Sequence, residues 1–124
     1  MRRIVILVAM FAVTACQASA GSSADIEVYE FAMHPSSSRF EAGSIELDVT
    51  NTGEFGHTLV ITDSNGHVIS AGDVIGPGDT AQLSVDLAAG EYSFTCRIVA
   101  QDDEGNVIDH YEQGMTADVV VVAG

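Results

Sequence analysis

The amino-acid sequence has very little positive charge. Its 124 residues include no Lys, four Arg and 18 Asp and Glu, for a net charge of −14 at pH 7. Such a surface repels nucleic acids and anionic lipid headgroups, which argues against a protein that binds either of them. The acidity has two explanations that the composition leaves open: it keeps the protein soluble, or it steers a basic protein partner.

The sequence also lacks an apolar run long enough to span a membrane. The run at residues 4–13 has ten residues and follows Arg2 and Arg3, whereas a spanning helix needs about 20 residues. A short apolar run after positive charges is typical of an export signal. The protein is therefore predicted to leave the cytoplasm.

Two sites are candidates for the end of this signal. Val13-Thr14-Ala15-Cys16 resembles a bacterial lipobox, whose Cys becomes the lipidated first residue of the mature protein. Ala18-Ser19-Ala20 is an alternative cleavage site that would release a soluble, secreted protein. We predict the first: a signal peptide over residues 1–15, lipidation of Cys16, a flexible tether over residues 16–24 and one domain over residues 25–124. The domain would lie on the periplasmic or cell-surface side of the membrane, held there only by its lipid.

Trp is absent and only two Pro are present, while Val, Ile and Thr are plentiful and Gly separates short runs. Alternation of polar and apolar residues predicts strands, because successive side chains of a strand point to opposite faces. No segment has a helical period. The predicted fold is all-β, a Greek-key antiparallel β-sandwich of about seven strands. The strands are predicted at residues 25–31, 44–49, 58–62, 67–70, 80–87, 91–95 and 116–122, with a loop over residues 33–39.

Cysteine is scarce, and its scarcity points to a metal site. Beyond Cys16 the only cysteine is Cys96, so the domain can form no internal disulfide. A lone thiol in an oxidising compartment is a liability unless it is buried or bound to metal. His110 and Met115 follow Cys96, and His57 lies upstream. A thiolate and two imidazoles in a plane, with a weak axial thioether, form the ligand set of a blue-copper site.

Three segments resemble the cupredoxin family: Asn51-Thr-Gly before His57, Gly90-Glu-Tyr-Ser-Phe-Thr-Cys96, and His110-Tyr-Glu-Gln-Gly-Met115. The resemblance extends over nearly the whole domain. It implies a two-sheet sandwich that binds one type 1 copper through His57, Cys96, His110 and Met115. It also implies a carrier of single electrons between redox proteins rather than an enzyme, and a hydrogen bond from the backbone N–H of Thr58 to the Cys96 sulfur.

One feature departs from the family pattern, in which only a few residues separate the Cys from the second His. Here 13 residues, 97–109, lie between them. Apolar, β-prone segments on either side of Gln-Asp-Asp-Glu-Gly predict a hairpin, with Gly105 in the left-handed position. With Asp103 at its tip, Arg97 would face Asp109 and Cys96 would face His110. Such a β-finger would bring the two predicted ligands together in spite of the gap.

The expected partner is a basic redox protein, such as a c-type cytochrome or an oxidase, that binds a monomer of this chain. Acidic residues near the predicted site would steer it: Asp102, Asp103, Glu104, Asp109 and Glu112. Copper trafficking or storage, and a metal-free binding module, remain alternatives. A Cys/His nucleophilic enzyme is disfavoured because no oxyanion motif is present. His34, His67 and Met33 match no motif and are predicted to have no role in the site.

Overall fold

The computed structural model describes residues 22–124. The predicted signal peptide, Cys16 and most of the predicted tether lie outside these residues. Strand β1 begins at Ser23, two residues before the predicted start of the domain. The described residues form eleven strands: β1 Ser23–Tyr29, β2 Ala32–Pro35, β3 Arg39–Glu41, β4 Gly43–Asn51, β5 Val60–Asp63, β6 Val68–Ala71, β7 Thr80–Leu87, β8 Gly90–Thr95, β9 Val99–Gln101, β10 Val107–Asp109 and β11 Thr116–Val122.

The strands form two main sheets and a separate hairpin. One sheet has the order β2-β1-β4-β7 and the other has the order β3-β11-β8-β5-β6, while β9 and β10 pair only with each other. The predicted β-sandwich is therefore confirmed. Two of its details are wrong, because the strands number eleven rather than about seven, and the sheets are mixed rather than antiparallel. The β1–β4 and β3–β11 pairs are parallel.

The prediction of a loop at residues 33–39 is also wrong, because parts of this segment belong to two short edge strands, β2 and β3. β2 pairs with β1 and β3 pairs with β11, each at the edge of its sheet. Met33 and Phe40 point into the core, at 4% and 0% exposure. Strands of three or four residues are too short to show alternation, and Pro35 is tolerated because an edge strand needs no continuous ladder.

Alternation did predict the longer strands. β7 and β11 have the predicted bounds, and the odd-numbered apolar residues of β4, Ile45, Leu47 and Val49, are buried. These side chains join one core cluster between the two main sheets, which also contains Cys96 and Met115. The metal-ligand candidates therefore belong to the same packed interior as the aliphatic residues.

Three strands end or begin at one end of the sandwich and bring the predicted ligands there. β4 ends at Asn51 and leads into the segment that carries His57. β8 ends at Thr95, directly before Cys96, and β11 begins at Thr116, directly after Met115. Within residues 22–124, no helix has the length and apolarity needed to cross a membrane.

Candidate metal centre

Three of the predicted ligands meet in a buried triangle. The Nδ1 atoms of His57 and His110 are 3.2 Å apart. The Sγ atom of Cys96 is 3.9 Å from the Nδ1 of His57 and 3.6 Å from the Nδ1 of His110. The three residues are 0–2% exposed. They are the one group of three metal-ligating side chains found among residues 22–124 that are close enough to share an ion.

The size of the triangle fits a metal ion. An ion in the plane of two nitrogens and one sulfur, at typical distances of about 2.0 Å and 2.3 Å, separates the nitrogens by about 3.5 Å and each nitrogen from the sulfur by about 3.7 Å. The sides of the triangle, 3.2, 3.6 and 3.9 Å, differ from these values by only a few tenths of an ångström. A thiolate with two imidazoles is a donor set suited to copper.

Met115, the fourth predicted ligand, is fully buried and is held beside the triangle by backbone hydrogen bonds. Its N–H donates to the carbonyl of His110, at 3.1 Å, and its carbonyl accepts the N–H of Cys96, also at 3.1 Å. The backbone of Met115 is thus bonded directly to two residues of the triangle. Its side chain packs in the same core cluster as Cys96.

The backbone around His57 is fixed by Asn51, a side chain whose contacts the sequence does not reveal. The Asn51 amide donates to the carbonyls of Phe55 and Ile75 at 2.7 and 2.8 Å, and its oxygen accepts the N–H of Gly53 at 2.9 Å. His57 and Ile75 also exchange two backbone hydrogen bonds. The loop before His57 is therefore tied to Asn51 at one end and to residue 75 at the other.

The Cys96 sulfur accepts hydrogen bonds from the residue after His57. The backbone N–H of Thr58 lies 3.4 Å from Sγ, which confirms the predicted bond, and the Thr58 hydroxyl lies 3.8 Å from it. The hydroxyl oxygen in turn accepts the N–H of Arg97 at 3.5 Å. Both donors belong to Thr58, so the residue after His57 fixes the position of the sulfur beside the triangle.

A carboxylate that was not predicted lies behind His57. Glu30 accepts hydrogen bonds from the Nε2 of His57 at 2.8 Å and from the N–H groups of Glu54 and Phe55. Burial raises the pKa of Glu30, but these three donors outweigh it and lower the pKa from 4.5 to about 2. Glu30 is therefore ionised at neutral pH. No sequence signal points to it, since it precedes His57 by 27 residues.

His110 lies in a tight turn that Asp109 holds. The Asp109 carboxylate accepts the N–H groups of Tyr111 and Glu112, at 3.0 and 3.2 Å, so this acid has a structural role at the site. Burial lowers the pKa of His110, and the nearby His57 lowers it further, against the opposing effect of Glu30 and Asp109. A lowered pKa keeps the imidazole neutral, the form that binds metals.

The β-finger exists, but its register differs from the predicted one. β9 pairs with β10 so that Val99 faces Asp109, and the N–H of His110 donates to the carbonyl of Ile98. The predicted pairs of Arg97 with Asp109 and of Cys96 with His110 are therefore wrong. Arg97 instead stacks over the ring of Tyr111, with 3.8 Å between its guanidinium carbon and the ring centroid.

The side chain of Asp102 explains the shift. It accepts the N–H groups of Glu104 and Asn106 and the side-chain amide of Asn106, so the turn is centred on Glu104 rather than on Asp103. Gly105 adopts the predicted left-handed conformation, with φ of 82°. Moving the centre of a hairpin by one residue moves every cross-strand partner by two. The sulfur and imidazole of the predicted ligands still meet, because residues 96–98 leave the ladder.

The residues predicted to have no role in the site stay outside the triangle. His34 and His67 have exposed side chains, and Met33 packs in the core. The only cysteine of the described part of the chain is Cys96, which is buried and unpaired. Burial shields this thiol from solvent.

Comparison with known proteins supports the fold. A family model described as a cupredoxin-like domain matches residues 3–108, most of the chain, and ends before His110 and Met115. No match is found among curated proteins. Dithionite-reduced auracyanin from Roseiflexus castenholzii is similar in structure, with 21% identity, a TM-score of 0.65 and coverage of 84% of this chain and 99% of that one.

Two further solved structures illustrate the range of matches. Auracyanin A from Chloroflexus aurantiacus, described as a "blue" copper protein, has 14% identity, a TM-score of 0.57 and coverage of 81% of this chain and 99% of that one. A multicopper oxidase has 18% identity and a TM-score of 0.54 over 82% of this chain, but only 42% of the oxidase chain is covered. At such identities these likenesses extend to the fold alone.

Proposed function

The chain belongs to the cupredoxin-like domain family, and on this basis we propose that it binds one type 1 copper ion and carries single electrons between redox proteins. The proposed ligands are His57, Cys96, His110 and Met115. The observation that carries the proposal is the buried triangle of one sulfur and two nitrogens, whose sides match those that a bound ion requires.

The surrounding residues suit electron transfer. Bound copper would supply a one-electron couple, since a thiolate favours Cu(I) and imidazoles suit both oxidation states. Hydrogen bonds hold each donor in place: Thr58 holds the sulfur of Cys96, and Glu30 holds the ring of His57. The Asp109 side chain holds the turn that contains His110. Donors held in this way rearrange little when the charge of the site changes. Burial also excludes water, because the three donors are almost inaccessible.

One of the similar solved structures is an oxidase, but an electron carrier is the better proposal for this chain. The multicopper oxidase that it resembles is more than twice as long as the matched part. Among residues 22–124 there is a single donor triangle, whereas a multicopper oxidase holds several copper ions. We therefore propose a function without catalysis.

Copper loading tests the proposal. We expect the purified protein to bind one copper ion per chain and to show an intense visible band that disappears on reduction and returns on oxidation. The band arises from a thiolate bound to Cu(II), so it reports on Cys96 directly. Tight Cu(I) binding without a stable Cu(II) form would favour trafficking or storage. Copper well below one ion per chain would favour a metal-free binding module.

We further propose that the protein is exported and held at the membrane by a lipid on Cys16. The support is the sequence alone: two Arg, an apolar run and a lipobox-like Val13-Thr14-Ala15-Cys16. Secretion as a soluble protein after cleavage at Ala20 is the alternative. Mass spectrometry of the protein from the membrane and soluble fractions of a bacterial culture distinguishes a membrane-bound chain with a diacylated Cys16 from a soluble, unmodified chain that begins at Gly21.

The proposed partner is a basic redox protein that binds a monomer of this chain at the metal end. Seven large hydrophobic side chains of the described residues are exposed, and four of them lie within three positions of a triangle residue. We call these four the metal-end surface: Phe55, Val99, Val107 and Tyr111. The tip of the β-finger adds the exposed acids Asp103 and Glu104. Apolar contact with an acidic rim suits a partner of opposite charge.

Neutralising the tip tests this proposal. We expect Asp103→Asn combined with Glu104→Gln to slow electron transfer to a basic c-type cytochrome by about two- to tenfold at low ionic strength, and to weaken its salt dependence. Neither side chain accepts a hydrogen bond within the described residues, so the finger should keep its shape. The measurement is the second-order rate constant by stopped flow at several salt concentrations.

The matched control removes two acids at the opposite end of the sandwich, by Asp86→Asn and Glu91→Gln. Asp86 pairs with Ser44 near the start of β4, and Glu91 lies at the start of β8, far from Cys96. The control has the same net charge as the tip variant. Equal slowing by the two double variants would show that only net charge matters, and the proposed docking at the finger would fail.

A further inference from the structure

The contact between Glu30 and His57 is built into the fold at several points. The Oε1 atom of Glu30 lies 2.8 Å from the Nε2 of His57, whose side chain is fully buried, while the Glu30 side chain is 19% exposed. The same carboxylate accepts the N–H groups of Glu54 and Phe55, at 3.0 and 2.8 Å. One acid therefore holds both the imidazole and the backbone that leads to it.

Gly53 leaves the space that the carboxylate occupies. A Cβ atom at this position would lie 2.5 Å from both carboxylate oxygens of Glu30, closer than any real contact. The oxygen of Asn51 binds the Gly53 N–H and keeps the loop in this position. The loop before His57 is thus shaped to receive a carboxylate and not merely to cover the ligand.

The carboxylate determines which nitrogen of His57 carries the proton. The Oε1 atom of Glu30 accepts two backbone N–H groups and is therefore the acceptor toward His57 as well, so the Nε2 atom must donate. In a neutral imidazole the Nδ1 atom then keeps its lone pair, and this is the atom that faces the triangle, 3.2 Å from the Nδ1 of His110. The hydrogen bond therefore selects the tautomer that can bind a metal within the triangle.

We propose that Glu30 is a positioning residue of the metal site: it presents the Nδ1 of His57 to the ion and places a fixed negative charge behind that ligand. This inference rests on the proposed copper function. A carboxylate bonded to a ligating imidazole orients the ring and increases its basicity. The added negative charge stabilises Cu(II) more than Cu(I), because the ion with the higher charge is attracted more strongly. Glu30 therefore lowers the reduction potential of the site.

The test is the variant Glu30→Gln in the full chain, loaded with copper. Gln keeps the length of the side chain and an oxygen acceptor but removes the charge. We expect the ratio of Cu(I) to Cu(II) at a fixed applied potential to rise about tenfold, which corresponds to an increase of about 59 mV for a one-electron couple. The measurement is an equilibrium redox titration followed through the visible band.

The matched control is Glu54→Gln. This exposed neighbour belongs to the same loop, and its side chain makes no hydrogen bond to His57 within the described residues. Its neutralisation removes the same charge, and we expect the ratio to change less than about twofold because the charge is screened by solvent. Equal shifts in the two variants would overturn the proposal, since they would reflect net charge alone.

A second measurement tests the role of Glu30 without copper, so that it can fail or succeed independently of the copper function. We expect the metal-free wild-type protein to show, in long-range ¹⁵N–¹H spectra, a His57 ring protonated at Nε2 and bare at Nδ1, with a slowly exchanging N–H. A ring protonated at Nδ1 would overturn the inference even if copper binds. The expected tautomer in a protein that binds no copper would leave the tautomer assignment standing and refute the copper function instead. This spectrum decides the question if Glu30→Gln does not fold.

Discussion

Cys96→Ser is expected to abolish the intense visible band of the copper-loaded protein and to weaken copper binding by more than about 100-fold. Loss of a residue that only supports a ligand already costs about 10- to 100-fold in affinity, and Cys96 itself provides the sulfur of the triangle. A serine hydroxyl stays protonated near neutral pH and lacks the soft sulfur that favours Cu(I). Titration with a competing chelator gives the affinity, and the absorption spectrum gives the band.

Thermal unfolding offers an independent measurement of the same change. A ligand at 100 times its dissociation constant stabilises a folded protein by about 2.7 kcal/mol, which raises the Tm of a domain of this size by about 10–20 °C. We expect copper to raise the Tm of the wild type by this amount and that of Cys96→Ser hardly at all. The metal-free variant should unfold within a few degrees of the wild type, because serine is slightly smaller and can still accept the N–H of Thr58.

The chain contains its own control, because it has only one other cysteine. Cys16→Ser removes the predicted lipidation site and leaves Cys96 in place. We expect this variant, purified from cytoplasmic expression, to keep the visible band and the copper-dependent rise in Tm. A band that survives in Cys96→Ser, or that disappears in Cys16→Ser, would contradict the ligand set.

The parts of the fold that alternation predicts are those in which one face of a long strand is buried. β4, β7 and β11 each present at least three apolar side chains at every second position, which is enough to fix both the element and its buried face. β2 has four residues and β3 has three, and each contains only one buried side chain. β3 also pairs with β11, which is distant in sequence. Local pattern cannot identify such strands.

Some residues of the candidate site are likewise identified by the sequence, and others only by the fold. Cys, His and Met are recognised because their chemistry is rare and their order is informative, so the sequence alone points to His57, Cys96 and His110. Glu30 is one acid among 18 Asp and Glu, and only the fold brings it to His57. The predicted register of the β-finger is wrong for a related reason. The position of the turn depends on three hydrogen bonds to one side chain, that of Asp102.

Asn51 is visible in the sequence as part of a family motif, but its contacts are not, and its replacement is expected to have a large effect on stability. Asn51→Ala is expected to lower the free energy of unfolding of the metal-free protein by about 3 kcal/mol. The side chain is fully buried and makes three hydrogen bonds, each with a net contribution of about 1 kcal/mol, and its loss removes the partners of the Gly53 N–H and the Phe55 carbonyl. Chemical denaturation at neutral pH measures the change.

The loss of Asn51 should also reach the metal, because the same three bonds hold the loop that carries Glu30's partners and His57. We expect copper affinity to fall by about 10- to 100-fold, the range for residues that support a ligand. Asn106→Ala is the matched control: its amide bonds only to Asp102 in an exposed turn, so the expected cost is within about 0.5 kcal/mol and copper binding is unchanged. If Asn51→Ala lowered the free energy of unfolding as little as Asn106→Ala does, the Asn51 side chain would not be needed to hold the loop before His57. The backbone pairing of residues 57 and 75 would then be sufficient, and His57 would not need Glu30 to position it.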